Sequence, residues 1–206
     1  MSAKKKRRLL QGNRTDQILK AAEKLFAQKG FYSTTVGEIA EKAGIAKGTI
    51  YLYFRDKRDL FFSVLESKLD ILLEKVEKGI QKSKTVSSRI KEAIEIHLKF
   101  LEENEDFFKI MQSFPEEFKR KLGERLKGGL IERQSYYVEI MDKLIQEGIE
   151  VGEIRPFDSR KLAVILMGML HSLTVYWISR KKRASLSEDK HLIYEVFWEG
   201  VKRESP

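Results

Sequence analysis

The scarcity of helix breakers is the feature that most limits how this chain can fold. Only 3 of its 206 residues are proline, and long segments contain no breaker at all. Because proline removes a backbone donor and blocks the preceding turn, its absence over such lengths favours continuous helices. Apolar residues recur every three to four positions, and we find no segment with the period of two that marks a strand. The sequence therefore predicts an all-α fold of about nine helices.

Local stop and start signals divide the chain into those helices. Gly30 is placed to end a first helix over Arg14–Lys29 as a left-handed stop. Asp56 can cap a long helix running to about Lys82, and Ser87 or Ser88 opens another that reaches about Glu103. The apolar stripe of the latter consists of Ile90, Ile94, His97, Leu98 and Leu101. Pro115 is expected in the first turn of a helix ending near Val151–Gly152, and Asp158 caps a strongly apolar one.

Positive charge is concentrated in the first third of the chain. Residues 1–60 hold 14 Lys and Arg against 6 Asp and Glu, a net charge of +8, whereas the remaining 146 residues have a net charge of +1. Such an asymmetry indicates an end that binds a polyanion, joined to a body with a different role. The run Lys4–Arg8 lies in this end and is expected to add nonspecific affinity rather than to lie in a minor groove.

Residues 35–60 have the spacing of a helix-turn-helix. Thr34–Thr35 offers an N-cap for a short helix over Val36–Ala43, with Glu38 in its first turn, and Gly44 supplies the left-handed residue of the turn. A second short helix, Lys47–Phe54, would pack inward through Ile50 and Phe54. The rest of the helix surface displays Lys47, Gly48, Thr49, Tyr51, Leu52 and Tyr53. Lysine, threonine and tyrosine side chains can contact phosphates and base edges in a major groove. Many helix-glycine-helix corners never touch DNA, so the spacing alone leaves a purely structural corner open.

A longer pattern of residues surrounds this motif. It comprises Leu25-Phe26, Gly30-Phe31, Thr34-Thr35, Ile39-Ala40, Ala43-Gly44-Ile45, Lys47-Gly48-Thr49-Ile50-Tyr51, Tyr53-Phe54, Lys57 and Leu60. In these positions the chain resembles the TetR-like family of bacterial transcriptional regulators (TetR/AcrR). A weaker similarity, at Gly148-Ile149, Gly152-Glu153-Ile154-Arg155 and Asp158, matches the connection before the dimerisation helices of that family. The resemblance implies a three-helix DNA-binding domain followed by a helical domain that binds an effector and dimerises.

The same resemblance implies which residues contact DNA. Thr35 would anchor a phosphate at the start of the first motif helix, where backbone N–H groups favour an anion. Three residues at the start of the recognition helix would approach bases, namely Lys47, Gly48 and Thr49. Tyr51 and Tyr53 would reach phosphates or thymine methyl groups, and Lys57 would hold the DNA backbone. The chain departs from the family at Ala46, where a serine cap is common, and at Gly37, which has no side chain to read a base.

These observations divide the chain into three segments. We predict a basic flexible arm at residues 1–12, a helix-turn-helix DNA-binding domain at residues 13–60, and a helical effector-binding and dimerisation domain at residues 61–206. The helix predicted at residues 158–181 is apolar nearly all round, so one of its faces needs a partner. The resemblance assigns that face, with the helix at residues 187–202, to a homodimer interface.

A pocket for a small, largely apolar effector is also implied by the resemblance. Its candidate lining residues, for each of which plain core packing is the favoured alternative, are Phe107, Met111, Phe114, Tyr137, Met141, Met167 and His171. We interpret His171 as a hydrogen-bonded histidine of the core. No cofactor or metal is expected, because the three histidines lie far apart without metal-ligand spacing and the chain has no cysteine.

Together these features predict a cytoplasmic, ligand-responsive repressor that binds a palindromic operator as a homodimer; activation is the alternative mode. An enzyme is a weak alternative, since there is no Gly-rich phosphate loop and no nucleophile motif. A helical interaction module, or a protein that binds DNA by charge alone, is the second alternative. The apolar run Leu162–Ile178 is short for a bilayer and is interrupted by polar residues, so we interpret it as a buried helix rather than a membrane span.

Overall fold

The computed structural model describes residues 3–112, 129–180 and 185–203, with side chains from residue 12 onward. Within these ranges the only strand-like pairing is a single bridge between Ile154 and Lys202, and the prediction of an all-α fold is confirmed. The described residues form nine α-helices: α1 (Ala3–Ser33), α2 (Val36–Lys42), α3 (Lys47–Ile50), α4 (Lys57–Ile80), α5 (Val86–Glu103), α6 (Glu105–Gln112), α7 (Leu130–Glu150), α8 (Ser159–Ser179) and α9 (Lys190–Val201). A short 3-10 helix at Leu186–Asp189 lies directly before α9.

The chain divides into two compact units. Unit 1 consists of Met1–Lys68 and Glu105–Leu130, and unit 2 consists of Leu69–Asn104 and Ile131–Pro206. The helix α4 therefore begins in unit 1 and ends in unit 2. In unit 1, α6 packs against α1 although it follows α5 in the chain. The boundary near residue 60 that the sequence predicts remains a prediction.

The core of unit 1 is built around an aromatic cluster. The helical spacing of α1 buries Ile18, Ala22 and Phe26 on one face. The Phe26 ring lies 5.0 Å from the Phe61 ring in an edge-to-face arrangement, and the Phe31 ring lies 5.2 Å from Phe61. Edge-to-face pairs at such distances add to the stabilisation from burial. These contacts fix the first turns of α4 against the end of α1.

The glycines that were predicted to end helices adopt positive φ. Gly30 has φ +74° and interrupts α1 before a last turn that reaches Ser33, while Gly44 has φ +61° and Gly152 has φ +78°. Side chains other than hydrogen are strained in this region of backbone space, which explains the choice of glycine. The ψ of Gly30 is 173°, so this residue keeps a positive φ but lies outside the left-handed helical region that was predicted.

Several predicted helix boundaries are wrong. The segment predicted to be a flexible arm at residues 1–12 is helical from Ala3: lysine, arginine, leucine and glutamine, which favour helix, make up most of it, and Gly12 does not end the helix before the predicted start at Arg14. Thr85, not Ser87 or Ser88, caps α5: its backbone is extended and its side chain accepts a hydrogen bond from the Ser88 amide. The helix expected after Pro115 lies partly outside the described residues.

A set of hydrogen bonds joins residues 153–155 of unit 2 to residues 86–87 and 201–203, and we call this set the clip. Glu153 accepts hydrogen bonds from the Ser87 amide at 3.1 Å and the Val86 amide at 3.4 Å, both at the start of α5. Beside it, the Arg155 amide donates to the Val201 carbonyl at 2.8 Å, and the Arg203 amide donates to the Glu153 carbonyl at 2.9 Å. The segment after α7 is thereby bonded to both the start of α5 and the end of α9.

Close packing accounts for one glycine in this region. A Cβ atom on Gly148 would lie 2.7 Å from the Ile154 Cδ1 and 2.9 Å from the Val86 Cγ1, two buried side chains. Carbon atoms do not approach so closely without displacement of a neighbour. The glycine of the Gly148-Ile149 similarity therefore allows α7 to pass close to the clip.

Candidate nucleic-acid interface

The N-terminus of α2 is fixed by a capping box. The Thr35 side chain accepts a hydrogen bond from the Glu38 amide at 3.2 Å, and the Glu38 carboxylate accepts from the Thr35 amide at 2.9 Å. Lys29 donates to the same carboxylate at 2.5 Å. That hydrogen bond, followed by those from the Thr35 amide and hydroxyl, lowers the pKa of Glu38 to about 2. The carboxylate is therefore charged but locally neutralised, which suits a surface that is to approach phosphate.

Thr35 is exposed at this helix end, as a phosphate contact requires. Its hydroxyl, however, donates to Glu38 at 3.0 Å, and its amide also donates to Glu38. The donors that remain for an anion at this end are the amides of Val36 and Gly37, which a helix leaves without an intrahelical acceptor. The phosphate contact of Thr35 stays a prediction, and the structure favours its backbone neighbours as donors.

The turn after α2 sets the position of residues 47–54, the predicted recognition helix, which we call the recognition segment. The Ile45 amide donates to the Ala40 carbonyl at 3.0 Å across Gly44, and the Gln17 amide group donates to the Ala43 carbonyl at 2.6 Å. Ile50 and Phe54 are buried, as predicted from their i, i+4 spacing. The helix α3 is shorter than predicted, since residues 51–53 form turns rather than continuing it. Ala46 provides no side-chain cap, in agreement with the departure seen in the sequence.

The predicted contact residues share the outer surface of this segment. Lys47, Gly48 and Tyr51 are exposed, while Thr49 and Tyr53 are half-buried. A cation, a hydroxyl and two phenol groups are thus available on one short element held from behind by apolar packing. Such a set can donate to phosphates and base edges. Their contacts with DNA remain predictions.

Leu52 is an exposed residue that the sequence placed on this arc but did not single out. Its side chain is 81% exposed, the highest value among the exposed large apolar side chains in the described chain. A leucine in this position offers apolar contact to thymine methyl groups. The available signal was its place beside Tyr51 and Tyr53, away from Ile50.

Lys57, for which the family resemblance implies a contact with the DNA backbone, is bonded within the protein, and its contact with DNA remains a prediction. Its ammonium donates to the carbonyls of Phe31 at 2.8 Å, Tyr32 at 3.3 Å and Thr34 at 2.8 Å. The same atom lies 4.4 Å from the centre of the Phe31 ring. Partial burial lowers the pKa of Lys57. Because an ammonium has three N–H donors, all of them are directed at the protein.

The predicted effector-pocket residues are divided between the two units. Phe107 is buried and Met111 is half-buried in unit 1. Tyr137 and Met141 are buried in unit 2, where Met167 is half-buried. Phe114 lies outside the described residues. A common pocket for this set remains a prediction.

The interpretation of His171 as a core histidine is wrong, since its side chain is exposed. The buried histidine of unit 2 is His97, whose Nδ1 lies 3.0 Å from the Tyr137 hydroxyl. Burial, with a smaller contribution from the charge of His171, lowers the pKa of His97 to about 4. Burial likewise raises the pKa of the Tyr137 phenol. Both groups are therefore neutral at pH 7.

Residues 18–64 match the profile of the bacterial regulatory proteins of the tetR family. Residues 65–200 match the C-terminal region of YsiA-like proteins. The first match covers the capping box, the turn and the recognition segment; the second covers nearly all of the remaining chain. Among the described residues, no group of three or more His, Cys, Asp or Glu side chains is arranged to hold a metal ion.

Individual relatives agree with these profiles along nearly the whole chain. The fatty acid metabolism regulator protein of Bacillus subtilis is 28% identical over 190 residues, which are 90% of this chain and 94% of the relative. The fatty acid degradation regulator FadR of Bacillus halodurans has a TM-score of 0.78 at 27% identity, covering 90% of this chain and 94% of that one. FadR of Bacillus subtilis in complex with stearoyl-CoA has a TM-score of 0.76 at 28% identity, covering 89% and 97%.

Proposed function

The chain belongs to the tetR family of bacterial regulatory proteins, and from this we propose that it is a repressor which binds a palindromic operator as a homodimer and is released by an effector. The members of this family regulate transcription by binding DNA, and the relatives that match 90% of this chain are regulators. The observation that supports this mode of DNA binding is the exposed surface of the recognition segment. Its polar and aromatic side chains are exposed, while Ile50 and Phe54 anchor it from behind.

The recognition segment is tested with DNA selected by the protein itself. The wild-type chain should enrich from a random duplex pool a sequence with two half-sites about 34 Å apart, one helical turn. Lys47→Ala and Tyr53→Ala should each weaken binding to that duplex by about tenfold, the low end of what one base or phosphate contact contributes. Fluorescence anisotropy with and without random competitor DNA measures the change.

The matched control is Lys42→Ala, which removes an exposed lysine from α2 outside the predicted contact set. It should leave the preference for the selected duplex over random DNA unchanged. A protein that binds by charge alone would instead lose affinity evenly with every lysine removed. Unchanged preference in both Lys47→Ala and Tyr53→Ala would contradict the assignment of the recognition segment.

The outer face of α8 and α9 supports the homodimer. The helix α8 is long and apolar enough to cross a membrane by length and composition, yet only 28% of its most apolar window is buried in a single chain. With α9 it forms an open groove of about 400 Å³, lined by Met169, Ser172, Leu173, Tyr176, Leu192, Ile193 and Val196. Because large apolar patches on proteins usually mark interaction sites, we expect another molecule to cover this face of α8 and α9. A second copy placed about a twofold axis would cover it with the same residues.

We propose a long-chain fatty acyl-CoA as the effector. The support is the B. subtilis structure in complex with stearoyl-CoA, a relative matched over 89% of this chain, together with the name of the curated regulator of fatty acid metabolism. An acyl chain fits the earlier expectation of a largely apolar effector. The cytoplasm holds both the DNA and such thioesters, which is why we place the protein there and propose for it no enzymatic activity of its own.

Stearoyl-CoA titrated into the complex with the selected duplex tests the effector class. It should weaken DNA binding by about 5- to 150-fold, the usual range of coupling between two sites. Coenzyme A without an acyl chain is the control and should leave DNA affinity unchanged. Binding of stearoyl-CoA to the protein, measured by calorimetry, without any change in DNA affinity would contradict release by this effector.

A further inference from the structure

The carbonyls that bind the Lys57 ammonium lie in residues 31–34, the last turn of α1 after Gly30 and its connection to α2, which we call the turn between α1 and α2. They belong to Phe31, Tyr32 and Thr34, directly before the N-cap Thr35. The Thr34 hydroxyl donates in turn to the Gly30 carbonyl at 2.8 Å and the Leu25 carbonyl at 3.2 Å. The turn is thus bonded to α1 by one side chain and to the first residue of α4 by another.

The N-terminus of α2 depends on this turn. Thr35, which follows the bonded carbonyls directly, makes the first hydrogen bonds of α2 through the amides of Glu38 and Ile39. A shift of the turn would move the N-cap and, with it, the amides that face a DNA phosphate. Lys57 could reach a phosphate only by giving up at least one of its carbonyl acceptors.

We infer that Lys57 is a positioning residue, which acts on DNA binding by holding the turn between α1 and α2 in place and not by contacting the DNA backbone. This inference rests on the proposed DNA-binding mode, and it departs from the phosphate contact that the family resemblance implies for this position. The ammonium joins the start of α4 to the residues directly before the N-cap of α2, inside unit 1. Rotation of the first turn of α4 is thereby transmitted to the helix end that faces phosphate.

Salt dependence separates positioning from contact. Each phosphate that a lysine neutralises contributes about −0.9 to the slope of log affinity against log salt concentration. Lys57→Met keeps an unbranched apolar stem and removes the ammonium. We expect the folded variant to bind the duplex selected by the wild-type protein about tenfold more weakly, with an unchanged slope, since several charged hydrogen bonds are lost. Affinities are measured well below the melting temperature and referred to the folded fraction.

Hydrogen exchange in the absence of DNA provides the second measurement. In Lys57→Met the amides of Glu38 and Ile39 should exchange at least about tenfold faster than in the wild-type protein, because the N-cap they depend on is loosened. Lys47→Met is the matched control: it should lower the salt slope by about 0.9 and leave both amides unchanged. A slope lowered in Lys57→Met, an unchanged affinity per folded molecule, or unchanged exchange at both amides would each overturn the inference.

Lys57→Arg keeps the test decisive if the methionine variant does not fold. A guanidinium is an excellent phosphate ligand but is planar and cannot place three donors as an ammonium does. Positioning predicts that this variant also binds DNA more weakly with an unchanged slope. Wild-type affinity in Lys57→Arg would show a phosphate contact and overturn the inference. If instead Lys47→Met changes neither slope nor affinity, the recognition segment is misassigned, while exchange in the Lys57 variants still decides the role of Lys57.

Discussion

Phe26→Ala should lower the free energy of unfolding by about 3–5 kcal/mol, the range for removing a buried phenylalanine from a core. The Phe26 side chain is 1% exposed and packs against both the Phe31 and Phe61 rings, at 6.0 Å and 5.0 Å between centres. The substitution removes the apolar surface of the ring and leaves a cavity that the neighbouring rings cannot fill. Since typical domains are stable by only about 5–15 kcal/mol, a substantial fraction of the stability would be lost.

Urea unfolding followed by circular dichroism measures this loss. The control is Leu52→Ala, a deletion of similar chemistry on a side chain that is 81% exposed. It should change stability by no more than about 0.5 kcal/mol, as exposed substitutions usually do. Its effect should appear in DNA binding instead. A loss below about 1 kcal/mol for Phe26→Ala would show that the aromatic cluster is not the core we describe.

Acidification from pH 7 to pH 5 should destabilise unit 2 by about 2 kcal/mol through His97 alone. The pKa of His97 is about 4 in the folded protein, whereas an unfolded chain has a histidine pKa near 6.5. The unfolded state therefore takes up the proton first as the pH falls. The stabilisation is complete above pH 6.5, decreases as the pH drops from 6.5 to about 4, and is constant below that value.

A double substitution isolates this effect from the carboxylates, which also titrate in acid. His97→Leu alone leaves the buried Tyr137 hydroxyl without its nitrogen partner and should cost about 1–3 kcal/mol at pH 7. His97→Leu with Tyr137→Phe removes both polar groups and the titration. The unfolding free energy of the wild type minus that of the double variant should therefore fall by about 2 kcal/mol between pH 7 and pH 5. A difference that does not change with pH would contradict the assignment.

Local features of the fold were predictable because their causes lie within a few residues. Thr35 and Glu38 are three positions apart and form the predicted cap, and Asp158 caps α8 through the Lys161 amide. Gly44 takes the positive φ that a tight corner demands. The burial of Ile50 and Phe54 followed from helical spacing alone. These signals were sufficient to place the recognition segment and its exposed residues.

Contacts between distant residues were not predictable in this way. The acceptors of Lys57 lie 23 to 26 positions away, so its sequence context could not show that the ammonium is already bonded. The partner of His97 is 40 positions away. His97 stood on the predicted apolar stripe of α5, which was a usable signal, whereas His171 lies on a helix that is apolar nearly all round and gave no facing direction.

The clip at the end of unit 2 limits the order in which parts of the protein can fold during translation. Its last strand-like partners, residues 201–203, emerge from the ribosome after every other described part of the chain, so the hydrogen bonds to residues 153–155 form only after the other described helices have been translated. The recognition segment, by contrast, has been translated before residue 68. A nascent chain can thus fold the aromatic core around Phe26 and Phe61 early, while the surface formed by α8 and α9 is completed last. The homodimer that we propose through this surface can therefore form only after α9 has been translated.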